Sequence, residues 1–399
     1  MNSSPSWNAP PEVPKPCATE FESIALLLQG GGALGAYQAG VFQALTEHRI
    51  EPTWIAGISI GAINCAIIAG NPPADRVAKL RTFWELVSAK NTPWVHWTNL
   101  FRSTTARGII NQYAAGEVLV NGVLGFFTPR FPPPPLRPNG TAAATSWYDT
   151  STLISTLDGL VDFDRINSKE MRFSVGAVNI RPGNFAYFDN AKDTIRPEHI
   201  MASAALPPAF PAVEIEGEFY WDGGLVSNTP LDWVLSAPSE LDTLVLQVDL
   251  WSARGALPRD LAEVAVRMKE IQYSSRTRAA TDEFRQIQKL RAAFQELLVQ
   301  MPPELAATPQ AKLLAKATTP AVYNIVQLVY RSPTYEGESK DYEFSRQTME
   351  EHWSAGHRDA MTTLAHPEVL SLPKSAVEVY DFLSRPNERT ASAKSEKRE

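Results

Sequence analysis

The chain has 399 residues, of which 44% are hydrophobic and 20% charged, and a formal net charge of −7. That length supports a substantial core, the composition is too apolar for a disordered chain, and the negative balance repels nucleic-acid phosphates. Two cysteines exclude a disulfide framework and suit a reducing compartment, leaving a single Cys17–Cys65 bridge as the one open cross-link.

Residues 1–22 are Pro- and Ser-rich, with no basic n-region and no continuous apolar run, so they read as a poorly ordered leader and not as a secretory signal. The run IALLLQ (Ile24–Gln29) lacks helical periodicity and ends in glycines, which predicts a strand buried on both faces. A helix follows over Ala36–His48, then a second buried strand at Thr53–Gly57, then a helix from Ile60 that stops at Gly70 and Pro72. The apolar stretch Trp54–Gly70 is shorter than the roughly 20 residues of a spanning helix, and a buried element suits it better. Strand, glycine turn, helix, strand, tight turn, helix is the order of a parallel α/β sheet.

Between Pro93 and Thr150 the pattern weakens into Trp- and Pro-rich sequence, and long irregular segments of this kind act as covers or connectors. Regular structure resumes with a helix over Thr150–Ile166, strands at Met171–Ile180 and Asn184–Asn190, a helix from Pro197 and a central strand at Asp242–Trp251. Beyond Trp251 the sequence turns helix-rich and charged, with a further strand at Val322–Arg331 and a helix at Phe344–Leu364. The expected organisation is a leader (1–22), an α/β domain (23–251, with 93–150 as its irregular cover), a mostly helical extension packed on it (252–385) and a disordered tail (386–399).

Two glycine motifs carry the chemistry. GISIG (Gly57, Ser59, Gly61) sits between a buried strand and an apolar helix, the setting in which G-x-S-x-G holds a serine out of the sheet at the positive end of a helix. The opening loop QGGGALG contains Gly30, Gly32 and Gly35 in G-x-G-x-x-G spacing, which fits a dinucleotide phosphate. That reading needs an acidic residue at the end of the second strand, where this chain has GISIG, and Glu51 precedes the strand instead. The loop is better read as a set of backbone N–H donors for an oxyanion beside Ser59. None of the six histidines lies in a context that marks it as a base, and no metal-ligand spacing occurs. Asp222, in WDGGL, stands at a turn with free backbone, where an Asx-type turn residue competes with a functional carboxylate.

QGGGALG, GISIG, SAALPPAFP (Ser203–Pro211) and DGG (Asp222–Gly224), in this order, resemble the patatin-like phospholipase family. The segments EIQYSSRTR and SKDYEFSRQTMEEHW further resemble a bacterial subgroup of that family whose C-terminal extension has no assigned role. The resemblance implies a three-layer α/β fold with a mainly parallel sheet. It also implies a Ser59–Asp222 dyad, an oxyanion hole from the amides of Gly30, Gly31, Gly32 and Ala33, and support from Gly35, Gly57, Gly61, Gly223 and Gly224. It further implies hydrolysis of lipid acyl esters through an acyl-enzyme, with no metal or other cofactor. The expected partner is a lipid or other acyl ester and not nucleic acid. The expected location is cytoplasmic, with room for peripheral contact with a membrane or lipid granule. The rival readings are a catalytically weak lipid- or granule-binding protein and, behind it, a dinucleotide-binding protein. Two positions depart from the family pattern: Leu34 stands where a basic residue is common, and Gln29 where Asp or Gly is common.

Overall fold

In the computed structural model, β1 (Ser23–Leu28) is buried along its whole length. Its residues alternate between two hydrophobic layers, with Ile24, Leu26 and Leu28 in one and Ala25 and Leu27 in the other. This is why the run shows no polar face in the sequence. The structure describes residues 19–89, 104–237, 241–275, 277–318 and 321–383. Most of the leader with Cys17, the tail, His96 and the tryptophans at 94 and 97 lie outside the described residues, as does any Cys17–Cys65 bridge.

After β1 come α1 (Gly35–Glu47), β2 (Trp54–Gly57), α2 (Ile60–Ala69) and α3 (Arg76–Val87). Within the weakly patterned region lies an 18-residue helix, α4 (Thr104–Asn121), followed by a small ribbon of β3 (Thr128–Pro129) and β4 (Tyr148–Asp149). Then follow α5 (Ser151–Leu160), α6 (Phe163–Asn167), β5 (Arg172–Asn179), β6 (Phe185–Asp189), α7 (Pro197–Ser203), β7 (Val213–Ile215), β8 (Glu218–Asp222), α8 (Leu231–Ser236) and β9 (Thr243–Asp249). The remainder holds α9 (Leu261–Tyr273), α10 (Thr277–Val299), α11 (Pro303–Ala306), α12 (Pro309–Ala317), β10 (Tyr323–Val329), α13 (Arg346–Leu364) and β11 (Val377–Tyr380). No described helix is long and apolar enough to cross a membrane.

Nine strands form one sheet in the order β11-β10-β9-β1-β2-β5-β8-β7, with β6 paired to β5. From β11 to β5 every pairing is parallel, and β6, β8 and β7 add antiparallel pairings. One hydrophobic layer packs α1, α2, α3 and α13 on the sheet, and the other packs α8 and Phe284 of α10, giving three layers. The sequence beyond residue 251 contributes helices and also β10, which pairs with β9 over seven residues, and β11 at the edge.

Two features of register position the site. Leu28 lies beside both Gly57 and Val248, so β1, β2 and β9 end level and their following loops emerge side by side, where open parallel sheets bind ligands. On β5, Ser174 and Val175 pair with both β2 and β6, while Ala177 and Val178 pair with both β6 and β8. A strand has two edges, so β2 and β8 share one edge of β5 and run toward each other. Gly57 stands opposite Val175 and Asp222 opposite Ala177, two residues further along.

Helices α1 and α13 cross backbone to backbone. A Cβ on Gly40 would lie 1.9 Å from the Trp353 carbonyl oxygen, and one on Gly356 would lie 2.0 Å from that of Tyr37. Gly356→Ala is therefore expected to force the helices apart and destabilise the protein by about 1–3 kcal/mol in urea denaturation. Gly159→Ala, in open space on α5, is expected to stabilise it by about 0.5–1 kcal/mol.

Candidate active site

Ser59 links β2 to α2 with φ 56° and ψ −125°, a left-handed backbone that costs a non-glycine residue about 1–3 kcal/mol. The turn is tight because a Cβ on Gly61 would fall 2.1 Å from the Leu28 carbonyl oxygen and one on Gly57 would fall 2.5 Å from the carbonyl of Gly61. Only glycine fits at either position. The backbone N–H of Ser59 donates to Ser203 Oγ at 3.1 Å, and α2 behind it is buried at all ten residues. The glycine contacts, the Ser203 hydroxyl and the buried helix behind it thus hold the strained serine in place.

Ser59 Oγ donates to Asp222 Oδ2 at 2.6 Å. Asp222 is fully buried, and its other oxygen accepts the Gly224 N–H at 2.7 Å. Burial pushes its carboxyl up to about 7, against the opposing pull of the Ser59 hydroxyl and the Gly224 amide. The buried carboxylate is thereby matched to accepting a proton near neutral pH.

The glycine loop packs directly on this pair, since a Cβ on Gly30 would lie 3.0 Å from Ser59 Cβ. Two of its amides are already engaged: Gly30 N–H donates to the Asn228 carbonyl at 3.2 Å, and Ala33 N–H to that of Asp341 at 2.8 Å. Among the described residues, the N–H groups of Gly31 and Gly32 meet no protein acceptor. Gly32 has φ +55°, and a Cβ there would come 2.0 Å from the Asp341 carbonyl oxygen. The Gly30 carbonyl is held by Asn228 Nδ2 and by Trp251 Nε1, each at 3.0 Å. Gln29 knits the loop to its surroundings. Its Oε1 accepts the Leu250 and Trp251 N–H groups, and its Nε2 donates to Thr229 Oγ1 and the Tyr273 carbonyl. Leu34 is fully buried in the core.

Ser59 and Asp222 open into a cavity of about 220 Å³ whose lining is dominated by apolar side chains. Phe126, Phe127, Tyr148 and Phe210 form a chain of ring contacts with centroids 4.9–6.3 Å apart, and Phe344 joins through Phe126. Val118 and Leu119 of α4 complete that side, so the described part of the region between β2 and β5 forms a wall of the cavity. The acidic residues of the lining are Asp222 and Asp341, and no described histidine is part of it. No group of three or more His, Cys, Asp or Glu able to hold a metal occurs among the described residues.

Of the residues singled out by sequence, Gly30, Gly31, Gly32, Ser59, Asp222 and Gly224 line this one cavity. Ala33, Gly35, Gly57, Gly61 and Gly223 stand behind it, Gly35 against Ile60 and Gly223 against the Gly176 carbonyl. Sequence reasoning missed Ser203, Asn228, Tyr273 and Asp341. All four lie within or just beyond the quoted segments, but their partners are distant in sequence and leave no local spacing to find.

Residues 26–235 match the family described as patatin-like phospholipase, and residues 271–376 match a second family described as patatin phospholipase. The chain is 34% identical over 103 residues to triacylglycerol lipase SDP1L of Arabidopsis thaliana, a stretch covering 25% of this chain and 12% of that protein. It is also 34% identical over 62 residues to a patatin-like phospholipase domain-containing protein of Caenorhabditis elegans, covering 16% of this chain and 6% of that one. The chain thus matches only a small part of either relative. Among solved structures, it is similar to VipD from Legionella pneumophila at 16% identity and a TM-score of 0.35, over 87% of this chain and 67% of that one. A structure of full-length SpcU in complex with full-length ExoU from Pseudomonas aeruginosa gives 15% identity and a TM-score of 0.24, over 72% and 60%. Because the first family match alone covers more than half of the 399 residues, the chain belongs to the patatin-like phospholipase family.

Proposed function

We propose that the chain is a serine acyl hydrolase of lipid esters, with Ser59 as nucleophile and Asp222 as its base. The observation that carries this reading is the 2.6 Å hydrogen bond from a strained serine to a buried carboxylate at an apolar cavity. Membership of a family described as patatin-like phospholipase supports it, as does the name of the triacylglycerol lipase relative.

In the proposed reaction Asp222 takes the Ser59 proton as Oγ bonds to the ester carbonyl carbon, and the carbonyl π pair moves onto oxygen. The amides of Gly31 and Gly32 receive that oxyanion. The donors are two and not four, because the N–H groups of Gly30 and Ala33 are already engaged. Collapse of the intermediate breaks the carbon–oxygen bond to the alcohol, which leaves with the proton held by Asp222. Water then gives a proton to Asp222 and attacks the acyl-enzyme. The carboxylic acid is released, and the proton returns to Ser59. The aromatic wall suits the hydrocarbon part of the acyl group.

Three outcomes follow. Ser59→Ala should abolish both p-nitrophenyl ester turnover and covalent labelling by an alkyl phosphonate, and labelling retained at another serine would overturn the assignment. Asp222 must be ionised to act as base, so kcat/KM should rise about tenfold per pH unit on the acid side and level off above about 7. The same group bears on stability with the opposite sign. Its folded-state pKa is raised above the ordinary value near 4, so its contribution falls as pH rises from about 4 to about 7 and stays unfavourable above that. Asp222→Asn should therefore silence turnover yet stabilise the fold at pH 8, by on the order of 2–4 kcal/mol in denaturant titration.

A further inference from the structure

Each end of the glycine loop is held by a part of the chain far from it in sequence. At its far end the Asp341 carbonyl accepts the Ala33 N–H at 2.8 Å and lies so close to Gly32 that no side chain fits between them. The Asp341 carboxylate is gripped by Lys269 Nζ at 2.9 and 3.1 Å, and the same ammonium donates to the Glu338 carbonyl at 2.9 Å. All three Lys269 donors are thus directed at one short segment, residues 338–341. Beside this pair, Lys340 Nζ reaches Glu270 Oε1 at 3.0 Å and Ser332 Oγ at 2.9 Å, adding a second rung between α9 and the same segment. At the near end, α9 finishes at Tyr273, whose carbonyl accepts from Asn228 Nδ2 at 2.8 Å and Gln29 Nε2 at 3.1 Å. Asn228 in turn holds the Gly30 carbonyl. One helix therefore grips both ends of the loop, and the two amides without acceptors, those of Gly31 and Gly32, lie between the grips.

The loop has no cation of its own to do this, since Leu34 is fully buried among apolar side chains. We propose that the Lys269–Asp341 pair is a positioning clamp, supplied by the C-terminal part of the chain, that sets the glycine loop in its oxyanion-donating conformation. The inference rests on the hydrolase reading of Ser59 and Asp222, because positioning matters only if the loop receives an oxyanion. Both partners are about three-quarters shielded, with side-chain exposures of 27% and 21%, so the pair is less screened than one on the surface.

The test compares the full chain with its Lys269→Met, Lys269→Arg and Asp341→Asn variants. It measures kcat and KM on p-nitrophenyl butyrate and amide hydrogen exchange across residues 31–34. Losing one oxyanion donor outright costs about 10²–10³ in turnover, so a displaced loop should cost about 10–100-fold in kcat with KM within about twofold. Lys269→Met and Asp341→Asn should both show this loss together with faster exchange at residues 31–34, and Lys269→Arg should restore most of both. Asp341→Asn keeps the backbone carbonyl and removes only the ion pair, so it serves if Lys269→Met does not fold. Unchanged kcat and exchange would overturn the clamp, as would a raised KM at constant kcat or a loss that Arg does not rescue. If the wild-type activity proves independent of Ser59, the hydrolase reading fails, and the exchange measurement still reports separately whether the pair holds the loop.

Discussion

The site depends on two strands that run head on along one edge of β5. β2 arrives from one end and stops at Gly57, and β8 arrives from the other and stops at Asp222. Neither can continue without meeting the other, so each chain must turn out of the sheet where they converge. The turn after β2 carries Ser59, and the last residue of β8 carries the carboxylate. A separation of 163 residues is thus reduced to a 2.6 Å hydrogen bond by sheet register, with no flexible loop required. The backbone pairing of β2 and β8 with β5 sets how close the two groups stand.

The same convergence buries Asp222, and burial makes its carboxylate a stronger proton acceptor at the expense of stability. A solvated aspartate beside a serine would be nearly always ionised and too weak a base; a buried one without partners would stay protonated. Here the Gly224 amide and the Ser59 hydroxyl offset part of the desolvation, leaving the carboxyl near 7. The glycine loop completes the environment by a similar compromise. It presents Gly31 and Gly32 amides without acceptors at a cavity wall and secures the rest of its polar groups elsewhere.

The fold was legible where the signal is local. β1 and β2 are short apolar runs bounded by glycines, and the alternation of strands and helices gave the α/β class. The turn at Ser59 is legible for the same reason, because Gly57, Ser59 and Gly61 lie within five residues and their packing partners are β1 and α2. Asp222 differs, since a carboxylate before two glycines has the local appearance of a turn, and only the order of four motifs singled it out. Whether an amide in the glycine loop is free or engaged could not be read at all. It depends on carbonyls of Asn228 and Asp341, 198 and 308 residues from their partners. β11 was not visible either, being four residues that pair only at the sheet edge.

Asp341 carries a consequence for how the molecule comes into being. A chain made from its N-terminus has Ser59 first and Asp222 after it, while the carbonyl that backs the glycine loop, that of Asp341, arrives only after both. If the loop needs that backing, an unfinished or prematurely ended polypeptide holds its serine and carboxylate without a set oxyanion site. The order of these residues along the chain then makes the glycine loop the last part of the proposed site to be set, after both the serine and the carboxylate are in place.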